Sequence, residues 1–199
     1  MNQNGLDRKK KVQYLLFFLV LFILPAASLY FLNSGKNYRL QALSELQELG
    51  RVADFRAIDQ MGRQTTPQSI RRKVVVMASV PNQSDSLQFY TRRLGVVHQA
   101  YDETNDLLLI MAIRQDSAID LAHLAIELGI KDADQWRLVK APAPQVLDEA
   151  FHVHVPARNV ALVDTSGMVR KLYNIYDNHE MGRLMEHIAL IIPKQPRRR

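Results

Sequence analysis

Residues 12–35 carry no charged side chain. Their densest part, residues 14–32, reads YLLFFLVLFILPAASLYFL. A helix of that length extends roughly 28 Å, close to the hydrocarbon thickness of a bilayer. Residues 13–33 are therefore expected to form one transmembrane anchor held in the lipid bilayer. Tyr14 and Tyr30 stand near its two ends, where amphipathic rings favour the interface. Arg8, Lys9, Lys10 and Lys11 precede it directly. The positive-inside rule then puts the N-terminus in the cytoplasm, with everything after the anchor on the periplasmic, extracytoplasmic side of the inner membrane. A cleaved signal peptide fits less well. Ala26-Ala27-Ser28 offers small residues, but Pro25 would stand three residues before a cut after Ala27, and the apolar run continues to Leu32. Pro25 is expected to kink the anchor.

The chain holds 26 Lys and Arg against 20 Asp and Glu, a net charge of +6. That excess sits at the ends. Residues 1–12 hold four basic residues against one acidic, and residues 194–199 hold Lys194, Arg197, Arg198 and Arg199. The stretch between, 13–193, holds 18 basic against 19 acidic residues, a net of −1. A nucleic-acid-binding domain needs a basic face on its folded part, so no nucleic-acid partner is expected. There is no cysteine. Disulfides, thiolate metal sites and dithiol redox chemistry are excluded with it. The 199 residues suffice for one compact domain plus an appendage. The division expected is a cytoplasmic basic segment (1–12), the anchor (13–33), a linker or short helix (34–50), a soluble domain (51–193) and a basic tail (194–199). Residues 38–49 repeat leucine at 40, 43, 46 and 49, as a short amphipathic helix or linker would.

Beyond residue 50 strand-like and helix-like segments alternate. Residues 73–80 (KVVVMASV) and 106–113 (DLLLIMAI) are apolar runs without polar alternation, as strands covered on both faces should be. Residues 86–100 place Leu87, Tyr90, Leu94 and Val97 at helical spacing. A second helix is expected over 117–128, capped by Asp116 or Ser117 and stopped by Gly129. A short apolar strand follows at 136–139, then a helix from Pro144 to Phe151. Residues 159–164 and 168–173, joined across Thr165-Ser166-Gly167, read as a β-hairpin. A helix over 180–192, with Met181, Leu184, Met185 and Ile188 on one face, closes the domain. This is an α/β domain with a central mixed sheet flanked by helices, in the order of the thioredoxin fold.

Particular residues sharpen the likeness. Val52-Ala53-Asp54-Phe55, then Asp59 and Gly62, then Val74-Val75-Val76 resemble the opening of peroxiredoxin and Sco-type domains. Ile113-Arg114-Gln115-Asp116, a helix and Trp136-Arg137-Leu138 are similar to the Sco order of strand, aspartate, helix and tryptophan-led strand. Residues 147–153 and the run ALVDTSGMVR at 161–170 resemble its ending. With the single anchor, the chain resembles the Sco/SenC-like thioredoxin-fold family over essentially its whole length. These are copper chaperones of cytochrome c oxidase assembly.

The resemblance implies copper ligands that are missing here. Sco proteins use a CxxxC just after the first central strand and a later histidine. The matching positions are Gln83, Leu87 and Pro156, and Arg158 falls where thioredoxins carry a cis-proline. None of these side chains can hold Cu(I) or exchange disulfides. The chain is identified as a divergent member without the CxxxC and histidine ligands. No catalytic residue and no resident cofactor are expected. Pro81, Asn82, Gln83, Ser84, Asp85, Pro156 and Arg158 are expected to form a docking surface on the former active-site face. The expected role is that of a redox-inactive accessory or assembly scaffold of a respiratory membrane complex, cytochrome c oxidase.

Two alternatives stand beside it. His152-Val153-His154 is the only close histidine pair, and on a strand both imidazoles would face one side and could hold copper or zinc. The plainer reading is a pair of polar surface residues at a helix–strand junction. The other alternative is a docking adaptor for a non-respiratory envelope complex. Met77, Met111 and Met168 read as core filling. Asp116 and Asp120, one turn apart, read as a cap plus a solvated helix face, Asp164 as a hairpin residue, and Ser84 and Ser86 have no histidine nearby. Arg71-Arg72-Lys73 and Arg92-Arg93 read as solvated edges, with contact to an acidic partner or lipid headgroups as the other option. His98, His123, His179 and His187 each read as structural.

Overall fold

A computed structural model describes residues 3–114, 119–154 and 156–193. The chain divides into two units, Met1–Ser44 and Glu45–Arg199.

The first unit is helical from α1 (Gln3–Phe18) through a π-helical turn (Leu19–Ile23) to α2 (Leu24–Ser44). Lys11–Ser44 is long and apolar enough to cross a membrane. Pro25 lies at the second position of α2, and the widened turn stands directly before it, with the Leu24 N–H donating to Leu19 O. A proline ring in a helix interior clashes with the preceding turn and removes an N–H donor. The chain before Pro25 is thus wound as a π turn. Of the two forms open to residues 38–49, a short helix or a linker, no separate helix forms. Leu40 and Leu43 continue α2 without a break, and the helix ends at Ser44. Residues 45–49 then run extended beside a strand, with Gln47 N–H donating to Arg170 O (2.9 Å) and Leu49 N–H to Val169 O (3.0 Å).

The second unit holds one eight-stranded sheet of β1 (Gly50–Arg51), β2 (Ala57–Asp59), β3 (Gln64–Thr65), β4 (Val74–Pro81), β5 (Leu107–Arg114), β6 (Trp136–Lys140), β7 (Val160–Val163) and β8 (Met168–Tyr173). Its helices are α3 (Ser84–Ala100), α4 (Leu121–Glu127), α5 (Pro144–Ala150) and α6 (Asn178–Ile191). The spatial order is β1-β8-β7-β4-β5-β6-β2-β3. β4, β5 and β6 are parallel, and β7, β8 and β1 on one side and β2 and β3 on the other are antiparallel.

β4 and β5 are buried from end to end except at Pro81 and Arg114, because both faces of the sheet are covered. Val74, Val76, Ala78 and Val80 face a core shared with Leu87, Tyr90 and Leu94 of α3, Leu121 and Leu124 of α4, and Leu184 and Ile188 of α6. Val75 and Met77 face the opposite core with Phe55, Leu147 and Phe151. The expected start of the second helix corrects to Leu121. Asp120 caps it, its side chain accepting from Ala122 N and His123 N, while the expected caps Asp116 and Ser117 lie outside the described residues. Gly129 ends it with φ +71°. β2 and β3 form an antiparallel hairpin, where Asp59 Oδ1 accepts from Met61 N–H (2.9 Å) and Arg63 N–H (2.8 Å).

Glu45, the first residue of this unit, pairs with Lys171 and Arg183. Buried His187 lies beside it, its Nδ1 2.7 Å from the Tyr173 hydroxyl. The Lys171 hydrogen bond holds the Glu45 carboxyl below its ordinary pKa. A carboxylate depressed in the folded state stabilises above its unfolded pKa, and that contribution is lost as pH falls through the folded pKa. Glu45→Gln is therefore expected to lower the melting midpoint at neutral pH and to have no effect in strong acid. Melting curves across that range check it.

Candidate functional site

In parallel sheets, ligand sites gather beyond the carboxyl ends of the strands. Here β4 ends at Pro81 and β5 at Arg114. Gln83 N–H donates to Pro81 O (2.8 Å), turning the chain into α3, and Leu87 N–H closes the first helical bond to Gln83 O (2.9 Å). Gln83, Ser84 and Asp85 are exposed, while Pro81 and Asn82 are half-buried. Leu87 is 5% exposed and packs in the core. The two positions matched to thiols are thus an open helix start and a core leucine.

Asn159 brings the second half of the face alongside. It is fully buried. Its carbonyl accepts the Ser79 N–H (2.9 Å), its Nδ2 donates to Pro156 O (3.0 Å), and its Oδ1 accepts the Ile175 N–H (2.9 Å). His154 and Arg158 close the turn with paired backbone bonds of 3.0 and 2.9 Å. Pro156 and Arg158 are exposed on it. The end of β4 and the 156–159 turn are therefore neighbours.

The strand geometry expected for the histidine pair does not form. His152 has φ +57°, a left-handed conformation that breaks the alternation, and its Nε2 lies 3.2 Å from Arg51 O. His154 is exposed on the turn. Among the described residues no group of three or more His, Asp or Glu is placed to hold a metal ion.

Sequence reasoning missed a polar cluster under this face. Arg114 Nε lies 3.2 Å from Asp148 Oδ2, and Ser79 is fully buried. β5 turns Arg114 to the same side as Ile110 and Ala112, the side covered by Leu147 of α5 and by Phe151 just after it, with Asp148 of α5 meeting Arg114. Neither Ser79 Oγ nor Asp148 Oδ1 meets a hydrogen-bond partner in good geometry. Burial pushes the Asp148 carboxyl above its ordinary pKa, against the opposing influence of Ser79 and Arg114. A raised carboxyl holds a proton in the folded state that the unfolded chain has released, so stability falls as pH rises through that window. Asp148→Asn is expected to raise the melting midpoint at neutral pH, the gain vanishing below the usual carboxylate range. That is the reverse of Glu45→Gln. A neutral-pH loss for Asp148→Asn would show that the Arg114 pairing outweighs burial.

A surface aromatic group adjoins this cluster. Phe89 and Tyr176 stack at 5.1 Å with an interplanar angle of 19°, and Tyr90 meets Tyr176 edge-on at 5.9 Å. Arg93 lies over the Phe89 ring, 5.3 Å from its centroid, and donates to Asn178 Oδ1. Burial and the Tyr176 hydroxyl push the Tyr90 phenol far above its ordinary range, and Tyr90 also feels Arg114 and Asp148. One signal for this group was legible. Phe89 stands off the apolar stripe of α3, with Arg93 one turn on.

No protein-family model matches this sequence, and no curated protein matches it. Solved structures do. BsSco, a member of the Sco family of cytochrome c oxidase assembly proteins, superposes with a TM-score of 0.58 at 14% identity, over 73% of this chain and 95% of that one. A SCO1/SenC family lipoprotein from Bacillus anthracis gives 0.54 at 15% identity, over 72% and 95%. The thioredoxin domain of a thiol-disulfide oxidoreductase from Bacteroides vulgatus gives 0.56 at 13% identity, over 74% and 99%. The copper that the family resemblance implies does not fit here. An amide, an alkyl chain and a proline ring at Gln83, Leu87 and Pro156 offer no thiolate and no imidazole. The domain that begins at Glu45 has a Sco-like thioredoxin fold, built without a single cysteine.

Proposed function

We propose that this protein is a membrane-anchored, redox-inactive scaffold for the assembly of a respiratory membrane complex, cytochrome c oxidase. The observation that carries the reading is the pairing of a Sco-like fold with a former active-site loop that holds an exposed glutamine and a core leucine where a reactive pair would stand. Such a face has no thiol chemistry and keeps shape and charge, which suit docking. Residues 13–33 hold the chain in the inner membrane, with the N-terminus cytoplasmic and the domain periplasmic. Pro81, Asn82, Gln83, Ser84, Asp85, Pro156 and Arg158 contribute to the docking face. The protein is not an enzyme and carries no resident metal.

Deletion of the gene is expected to lower cytochrome c oxidase activity in isolated membranes, with restoration by the full chain. Purification of the tagged full chain in mild detergent is expected to bring oxidase subunits with it. Normal oxidase activity after deletion, with no respiratory subunit co-purifying, overturns the reading. Calorimetric titration with copper or zinc is expected to give the same weak heats for the unsubstituted chain and for His152→Ala/His154→Ala. A tighter site that the double substitution removes would favour metal handling instead.

A further inference from the structure

We infer that the protein contact of this domain centres on the outer arc of α3 and Tyr176, and that it receives an acidic, partly apolar segment of a membrane-protein partner. The inference rests on the scaffold reading above and moves its contact from the loop at 81–85 to the neighbouring side of α3. Phe89, Arg92, Arg93 and Val96 fall on one arc of α3, away from the buried stripe Leu87, Tyr90, Leu94 and Val97. Val96 is 62% exposed and Tyr176 50%. Stacked aromatic rings with an arginine over them are the side-chain types that carry most energy in protein interfaces. Their conformations are already fixed: the Phe89–Tyr176 stack, the Tyr90 contact and the Asn178 bond hold the group as it stands. Little ordering entropy remains to be lost on binding.

The charge says what the partner carries. Arg93 has the Phe89 ring and the Asn178 amide oxygen as partners, and no carboxylate among the described residues. Arg92 is exposed and has no ion pair among them. The adjacent acid, Asp177, is occupied in capping α6, its Oδ1 accepting from His179 N–H (2.7 Å) and Glu180 N–H (3.3 Å). A guanidinium pinned over a ring offers its remaining N–H donors to a carboxylate, which it binds in a planar fork. Anionic lipid is the weaker match. Lipid recognition uses clusters of about four to eight basic residues. Residues 45–193 hold 16 basic against 19 acidic residues, so the folded unit as a whole is not drawn to a negative surface.

Photo-crosslinking tests this in the full-length chain within its own membranes. A benzophenone-bearing phenylalanine replaces Tyr176 or Val96, with Gln83 and Ile126 (78% exposed, on α4) as comparison positions. Mass spectrometry identifies the crosslinked peptide. Crosslinks from 176 and 96 to a peptide rich in Asp or Glu, falling about tenfold in an Arg92→Glu/Arg93→Glu background, are expected. A melting midpoint unchanged by that double substitution shows the fold intact. Crosslinks to lipid alone, to a second copy of this chain, or in equal yield from Ile126 overturn the patch. The two levels fail separately. An acidic segment of a non-respiratory protein keeps the patch and rejects the oxidase, whereas oxidase crosslinks from Gln83 and none from Tyr176 reject the patch and keep the scaffold.

Discussion

Asn159→Ala is expected to destabilise the domain by about 3 kcal/mol, and to loosen the turn at 156–158 together with Tyr176. The side chain is fully buried and serves two loops at once, donating to Pro156 O and accepting from Ile175 N–H. Ile175 is itself fully buried, so its N–H would be left without an acceptor and away from water. An unsatisfied buried donor costs roughly 1–3 kcal/mol. The carbonyl of exposed Pro156 recovers water and loses less. The space left by the amide adds a cavity cost of the kind measured for buried truncations. The bond from Ser79 N–H to the Asn159 carbonyl belongs to the backbone and survives, so β4 and β7 stay paired. At roughly 2–4 °C per kcal/mol for a domain of this size, the melting midpoint should fall by about 6–12 °C. Faster hydrogen exchange at the Ile175 amide would localise the effect. A loss under about 1 kcal/mol would mean that water or a neighbour replaces the amide, and that the face does not depend on this strut.

The elements of the fold were legible because its core strands are nearly pure apolar runs and its helices carry clean stripes. Val74, Val75 and Val76 announce a strand covered twice, and Leu87, Tyr90, Leu94 and Val97 announce a helix packed once. The family likeness was legible through spaced residues, Asp59 and Gly62 at one end and Asp164 and Gly167 at the other, whose roles are local hydrogen bonds and left-handed turns. What escaped depends on distance along the chain. Arg114 and Asp148 lie far apart in sequence, on a strand end and a helix, and meet only because both elements lie on one side of the sheet. Tyr176 sits in a loop with no periodicity and becomes half of a stack only when α6 packs near α3. The linker shows no helix of its own for another reason. The leucines at 40 and 43 fit a short amphipathic helix or a linker, nothing between 33 and 40 stops α2, and residues 45–49 run extended beside β8. The metal alternative for the histidine pair presumed a strand, whereas the plainer reading, polar residues at a helix–strand junction, needed none. A left-handed residue at 152 cancels that presumption and cannot be seen in a three-residue pattern.

Gly50→Ala is expected to cost about 3 kcal/mol, from two causes that can be separated. Gly50 has φ +139°, a region open to glycine and strained for any residue with a Cβ. It cannot relax freely, because Gly50 is paired with Val169 of β8. A Cβ added there would also stand 2.8 Å from His152 Nε2 and 3.2 Å from Cε1. Backbone strain of this kind costs roughly 1–3 kcal/mol and an overpacked contact a similar amount. Combining Gly50→Ala with His152→Ala removes the ring and keeps the strain, so a double-mutant cycle should recover about 1 kcal/mol or more as coupling. The cycle also bears on the histidine pair. The His152 ring occupies the space over Gly50 with Nε2 at the Arg51 carbonyl, which withholds it from any site shared with His154. A Gly50→Ala chain that melts with the unsubstituted protein would show that the ring swings aside at no cost. It would then be free to turn toward His154, and metal handling would regain the geometry that the folded chain otherwise denies it.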